Sequence, residues 1–264
     1  MINKSRPISE ARARIIIEGI SRMHYDAVNL SGGELELGVP FLKNLLDTFP
    51  IQFVSTNIGL NPSQWEKIAD TYIIKEVNGV KVAITGVSAK VLLNDDVQKD
   101  KNVIISSPIS TLKPVLSKLK DQVDLVILLS QMTIKGTKNF LTYNALPEVG
   151  VVIAGHGRNL TPQAVQVKDT LVVQNSMGGE YLSVLNLELD DSLNIKGHSV
   201  EIIPLTDEVP EDPVLLEKMK QFKATTSKIQ AKSHKTEQQL GNQKELLQLS
   251  PEAFIKYQSE MENK

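Results

Sequence analysis

The chain has 264 residues, 41% of them hydrophobic and 23% charged, which suits one large globular domain with an appendage. Lys and Arg (29) nearly balance Asp and Glu (31), so the net charge of −2 lacks the basic footprint of nucleic-acid binding. The absence of cysteine excludes disulfides, thiolate metal sites and cysteine nucleophiles, and no apolar run approaches the roughly 18 residues of a membrane span.

The opening Met1 to Pro7 is polar and carries no apolar stretch of a secretory signal. Ser9 to Met23 is predicted as a helix: Ser9 is a plausible N-cap, and Ala11, Ile15, Ile16, Ile20 and Met23 recur at helical spacing. Asp26 to Leu30 reads as a strand, and Ser31-Gly32-Gly33-Glu34 as a loop with a tight turn. Phe41 to Thr48 reads as a second helix and Ile51 to Asn57 as a strand. Two apolar runs, Thr71 to Val77 and Val80 to Val87, flank Asn78-Gly79, the strongest short hairpin signal. An amphipathic helix is expected over Ser110 to Gln122, a buried strand over Asp124 to Ser130, and a helix over Lys135 to Leu146. Another buried strand, Val149 to Ala154, ends in Gly155-His156. The rhythm then changes to an expected antiparallel run: Ala164 to Val167, Leu171 to Gln174, Leu182 to Leu189 and Ile195 to Ile203. Helices packed over a sheet sandwich, an α/β fold, follow from that mixture.

Thr206 to Pro213 is acidic and contains Pro210 and Pro213, which marks a boundary. The expected division is a domain over 1–205 and, over 206–264, an acidic, Pro-containing linker with a Lys- and Gln-rich helical tail.

Four segments resemble, in order and spacing, the 5′-nucleotidase branch of the metallophosphoesterase (calcineurin-like) family. Tyr25 to Glu34 is similar to that family's YDAVxxGNHE strand and loop. Phe53 to Ile58 is similar to its VSAN strand, Asp124 to Gln131 to its LSH strand, and Val151 to Arg158 to its GGHTH strand. The resemblance runs over about residues 9–205. It implies a β-sandwich flanked by helices. It also implies a site where two divalent metals of the manganese or zinc type orient phosphate and activate water.

Where the chain departs from the pattern, the chemistry is put in doubt. The family's bridging Asn aligns with Gly32 and its acid His with Gly33, and glycine can neither ligate nor transfer a proton. Only Glu34, not a ligand, is kept there. The LSH histidine aligns with Gln131 and the last His of GHxH with Arg158, leaving His156 as the one matching ligand. The Asp-x-His and Gly-Asp strands have no counterpart, so the sandwich is expected to be incomplete at its N-terminal side. One imidazole cannot hold a two-metal centre. The expectation is therefore a vestigial site (Gly32, Gly33, Glu34, Gln131, His156, Arg158) with no catalytic residue, no resident metal and no cofactor.

Each of these residues also has an ordinary reading. His156 can serve the loop through a ring hydrogen bond, and Arg158 can be a solvated arginine as readily as an anion clamp. Glu34 and Glu36 suit a helix start. His24, His198 and His234 lie in unrelated contexts, and neither Ser130 nor Ser176 sits in a Gly-x-Ser-x-Gly elbow. The leading expectation is a non-catalytic scaffold that binds another protein subunit or a second copy of itself, with no nucleic acid and no membrane insertion. Two alternatives stay open: an active phosphoesterase completed by ligands from another chain, and a module that holds a small anion near Arg158 and Gly32-Gly33. The resemblance implies the periplasm or cell surface as the setting.

Overall fold

Alternation of apolar residues along a few strands determines the centre of the fold. The computed structural model describes residues 6–63 and 67–229. The first elements in chain order are α1 (Arg6–Arg22), β1 (Val28–Asn29), α2 (Gly32–Leu35), α3 (Val39–Leu46), β2 (Phe53–Val54) and β3 (Ile58–Leu60). The hairpin β4 (Tyr72–Val77) and β5 (Val80–Ser88) follows, then a 3-10 turn at Lys90–Leu92, α4 (Asp95–Lys99), β6 (Val103–Ile105) and α5 (Pro108–Leu119). The series closes with β7 (Leu125–Gln131), α6 (Ile134–Asn144), β8 (Val151–Ala154), β9 (Val165–Val167), β10 (Thr170–Gln174), β11 (Tyr181–Leu189) and β12 (Ile195–Pro204).

Contacts divide the chain into two units, Ile17–Pro210 and, separately, Met1–Ile16 with Glu211–Lys264. In the second unit the described residues are helical at 6–16 and 213–229. The remainder of the expected C-terminal tail, and His234 with it, lies outside the described residues. Among the described residues no helix is long and apolar enough to cross a membrane.

Within Ile17–Pro210 the main sheet has six strands in the order β4-β5-β7-β8-β10-β9. Parallel pairing of β5, β7, β8 and β10 forms its middle, and the antiparallel β4 and β9 flank it. The β4–β5 hairpin closes through Asn78 (φ 52°) and Gly79 (φ 81°), a left-handed pair that Asn-Gly adopts at little cost. On one face Ala83, Val87, Val126, Leu128, Val152 and Val172 pack with Leu112, Leu116 and Leu119 of α5 and Leu141 of α6 to form the core. The alternate residues of β7 (Leu125, Ile127, Leu129, Gln131) are only half-buried on the other face. A two-stranded parallel sheet, β1 with β2, packs there against β5 and β7.

The structure corrects several sequence expectations. α1 is already helical at Arg6, with Pro7 in its first turn, so Ser9 lies inside the helix rather than capping it. Ser31 to Glu34 is not a loop with a tight turn: Gly32–Leu35 is a single helical turn. The Glu34 carboxylate accepts hydrogen bonds from the Ser31 backbone N–H (2.9 Å) and hydroxyl (2.6 Å), which supports that turn despite two glycines. The expected strand from Ile51 to Asn57 is shorter, because after Val54 the chain leaves β1 and β3 pairs with β6 instead. The second half is not wholly antiparallel, since β10 runs parallel to β8. A turn at Asp190-Asp191 closes β11 onto β12. There the Asn194 backbone amide, donating to Asp190 at 2.9 Å, holds the Asp190 carboxyl below the usual carboxylate range.

Candidate functional site

The carboxyl ends of parallel strands are where open α/β sheets bind ligands. Here the ends of β1, β7 and β8 enclose a cleft of about 400 Å³ whose wall includes Asn29, Ser31, Leu129, Ser130, Gln131 and Ile153. Its floor is fixed by the hydrogen bonds that tie the small sheet to the large one. Asn29 Nδ2 donates to the Val87 carbonyl (3.1 Å) and to Ser88 Oγ (3.2 Å). Ser88 Oγ in turn donates to the Leu30 carbonyl (3.2 Å), and the buried Asn57 side chain accepts from Ser88 N–H (2.9 Å) and donates to its carbonyl (2.8 Å). Gly86 has no side chain because a Cβ there would collide with Asn29 Oδ1.

The predicted site residues are only partly assembled. Gln131 lies in the cleft wall, whereas Gly32, Gly33, Glu34, His156 and Arg158 do not. His156 and Arg158 are exposed on the loop after β8, which is stitched to β7 by backbone bonds from Gly155 to Ser130 (2.8 Å) and from His156 to Met132 (3.3 Å). Gly32 is buried: a Cβ on it would lie 2.8 Å from Leu93 Cδ2 and 3.5 Å from Leu93 Cα. The space a longer side chain would need at that position is occupied by leucine, which is itself buried. Gln174 braces the same end of the sheet, accepting from Ile134 N–H (3.0 Å) and donating to the Asn159 carbonyl (2.6 Å).

The donor set does not fit a metal pair. The cleft wall carries amides and hydroxyls and no carboxylate or imidazole. Among the described residues no three His, Cys, Asp or Glu side chains converge. Gln131 Oε1 in that wall is buried without a hydrogen-bond partner, as is Asn29 Oδ1, which packs over Gly86 of β5. A larger hollow of about 460 Å³ opens at the opposite ends of β1 and β2, around His24, Asp26 and Lys75. It holds an exposed ion pair, Lys75 Nζ to Asp26 Oδ1 at 2.8 Å, and no convergent ligand set. Asn29, Ser88 and Leu93 were not singled out by the sequence. The lone Gly86 inside β5 was the available signal of a close approach.

A sheet of parallel strands covered by helices on one face and by a smaller sheet on the other is the arrangement that known structures share with this one. The 5′-nucleotidase precursor of Thermus thermophilus superposes with a TM-score of 0.68 at 22% identity, over 82% of this chain and 46% of that one. The fold is that of the calcineurin-like phosphoesterases. Sequence relatives agree: the chain is 24% identical over 194 residues to the uncharacterized metallophosphoesterase YunD of Bacillus subtilis, covering 70% of this chain and 40% of that protein. It is 27% identical over 229 residues to the 5′-nucleotidase of Mus musculus, covering 75% and 38%. The chain thus spans about two fifths of the length of these relatives. No protein-family model matches it.

Proposed function

We propose that this calcineurin-like chain is a non-hydrolytic, partner-binding protein derived from the metallophosphoesterases. The observation that carries the reading is Leu93 packed where a side chain at position 32 would have to reach. Position 33 is also glycine, and the cleft wall carries only neutral groups. A two-metal centre needs several anionic or imidazole ligands from different strand ends. The half-buried face of β7, and Ile153 beside it, supply the apolar surface a partner would cover.

Metal content tests the reading. The full chain is incubated with manganese and zinc, desalted and measured by plasma mass spectrometry. The expected result is near-zero metal and no hydrolysis of AMP. Stoichiometric retention of a metal pair would overturn it. Retention only when a second polypeptide is present would favour the alternative, a phosphoesterase whose ligands come from another chain.

A further inference from the structure

We infer that the cleft beside β1 is a slot for an extended, uncharged, apolar segment of a partner polypeptide, which joins the small sheet as an added strand. This rests on the partner-binding reading above and specifies what the partner presents.

Three observations converge. First, Val28 and Leu30 donate their N–H groups to Gln52 and Val54 on the β2 side. In a parallel strand the alternate residues, Ala27 and Asn29, then direct their backbone polar groups to the opposite side. Among the described residues no strand pairs with that edge. Second, the free edge points over the uncovered part of the large sheet. β2 packs on β5, β1 packs on β5 and β7, and the next position in that direction is over β8. Ile153, the β8 residue facing the slot, is 44% exposed although Val151 and Val152 before it are buried. Third, the slot wall includes Gln131, whose buried Oε1 has no donor, and buried orphan acceptors are rare enough to need a cause. A strand brings backbone N–H groups and, at alternate positions, hydroxyl or amide donors. The slot wall carries no charge, so a charged segment would be desolvated without compensation.

The same geometry excludes a second copy of this domain as the occupant. Antiparallel pairing of β1 with its own copy has a two-fold axis perpendicular to the sheet. That axis leaves both six-stranded sheets on the same side. Each of them extends past β1 by β8, β10 and β9 at about 4.8 Å per strand, so the two would collide. A lone strand fits where a whole sheet edge cannot. Main-chain hydrogen bonds would give the affinity and alternate side chains the specificity.

The test is selection of displayed random peptides of about ten residues, the upper end of ordinary strand length, against the full chain. Enriched peptides should be uncharged with apolar residues at every second position. Their binding should weaken about tenfold or more with Ile153→Asp, compared at a temperature where the melting curve shows the variant fully folded. N-methylation of alternate peptide nitrogens, which leaves the chain untouched, should weaken it by a similar factor, because strand addition needs those N–H groups. The inference is overturned if no peptide is enriched, or if enriched peptides bind equally well after both changes. It is also overturned if the chain alone sediments as a dimer that Ile153→Asp dissolves, since the slot would then hold a second copy. Metal uptake is measured separately, so a metal-binding chain that still takes the peptide would sink the non-hydrolytic reading and leave the slot.

Discussion

On the helix side of the six-stranded sheet Leu128 and Val152 are wholly covered by the core that α5 and α6 complete, whereas on the other side Ile153 is left 44% exposed. The strands are the same on both faces, and on the open one the exposure is local to Ile153, since Val151 before it and Val173 beside it are buried. What differs is the covering layer: two amphipathic helices on one face and, over β5 and β7, a two-stranded sheet on the other. A parallel sheet is normally buried on both faces. The comparison therefore separates residues that hold this fold together from residues that are available to something else.

The sharpest way to break that comparison is truncation on the covered face. Leu128→Ala should cost about 2–5 kcal/mol, because a fully enclosed leucine leaves a cavity that its neighbours only partly fill. Ile153→Ala, on the neighbouring strand but facing the slot, should cost only about 1 kcal/mol, because nearly half of that side chain is already in water. Urea denaturation of the two variants measures both. Equal losses would mean that the second face is as complete as the first and that no slot exists.

A smaller effect sharpens the reading of the vestigial site. Gly32→Asn should destabilise by about 1–3 kcal/mol, since its Cβ would sit 2.8 Å from Leu93 Cδ2. The Leu93→Ala background should recover a large part of that penalty, a coupling that a double-mutant cycle reads directly. An additive cycle would show that Leu93 does not occupy the space a side chain at position 32 would need.

The helix-covered face was legible in the sequence, and the open face was not. The consecutive apolar residues of β7, the Asn78-Gly79 hairpin and the helical spacing in α5 each express one local period, and the structure follows them to within a few residues. The parallel partner of β10 was missed because register between distant strands leaves no local mark. The β3–β6 pair was missed for the same reason: each strand has three residues, too few to display a period. At the site, the departures of Gly32, Gly33 and Gln131 from the resembled motifs could be read from alignment alone. The packing of Leu93 on Gly32 and the bond from Asn29 to Ser88 could not, because they join residues 61 and 59 positions apart.

The smallest expected effect concerns the edge of β2 opposite β1, where Asp70 bridges to Val54. Asp70 is bound to that strand through its backbone, donating to the Phe53 carbonyl and accepting from Ser55 N–H, both at 2.8 Å. Its carboxylate accepts from Lys67 Nζ (2.8 Å) and Gln52 Nε2 (2.8 Å). The Lys67 bond first and the Gln52 bond second hold its pKa below the ordinary carboxylate value, against a smaller opposing effect of burial. A depressed folded-state pKa means stabilisation that is fully present above the unfolded value of about 3.9 and lost as pH falls through the folded value. The side chain is 48% exposed, so solvent screens the pair and the contribution at neutral pH should stay below about 1 kcal/mol. Asp70→Asn keeps the backbone bonds and the Gln52 contact but removes the charge. Its melting temperature should lie slightly below that of the parent at pH 7, and the two should converge in acid below the ordinary carboxylate range. A gap that persists there would place the contribution in the backbone bridge to β2 and not in the carboxylate.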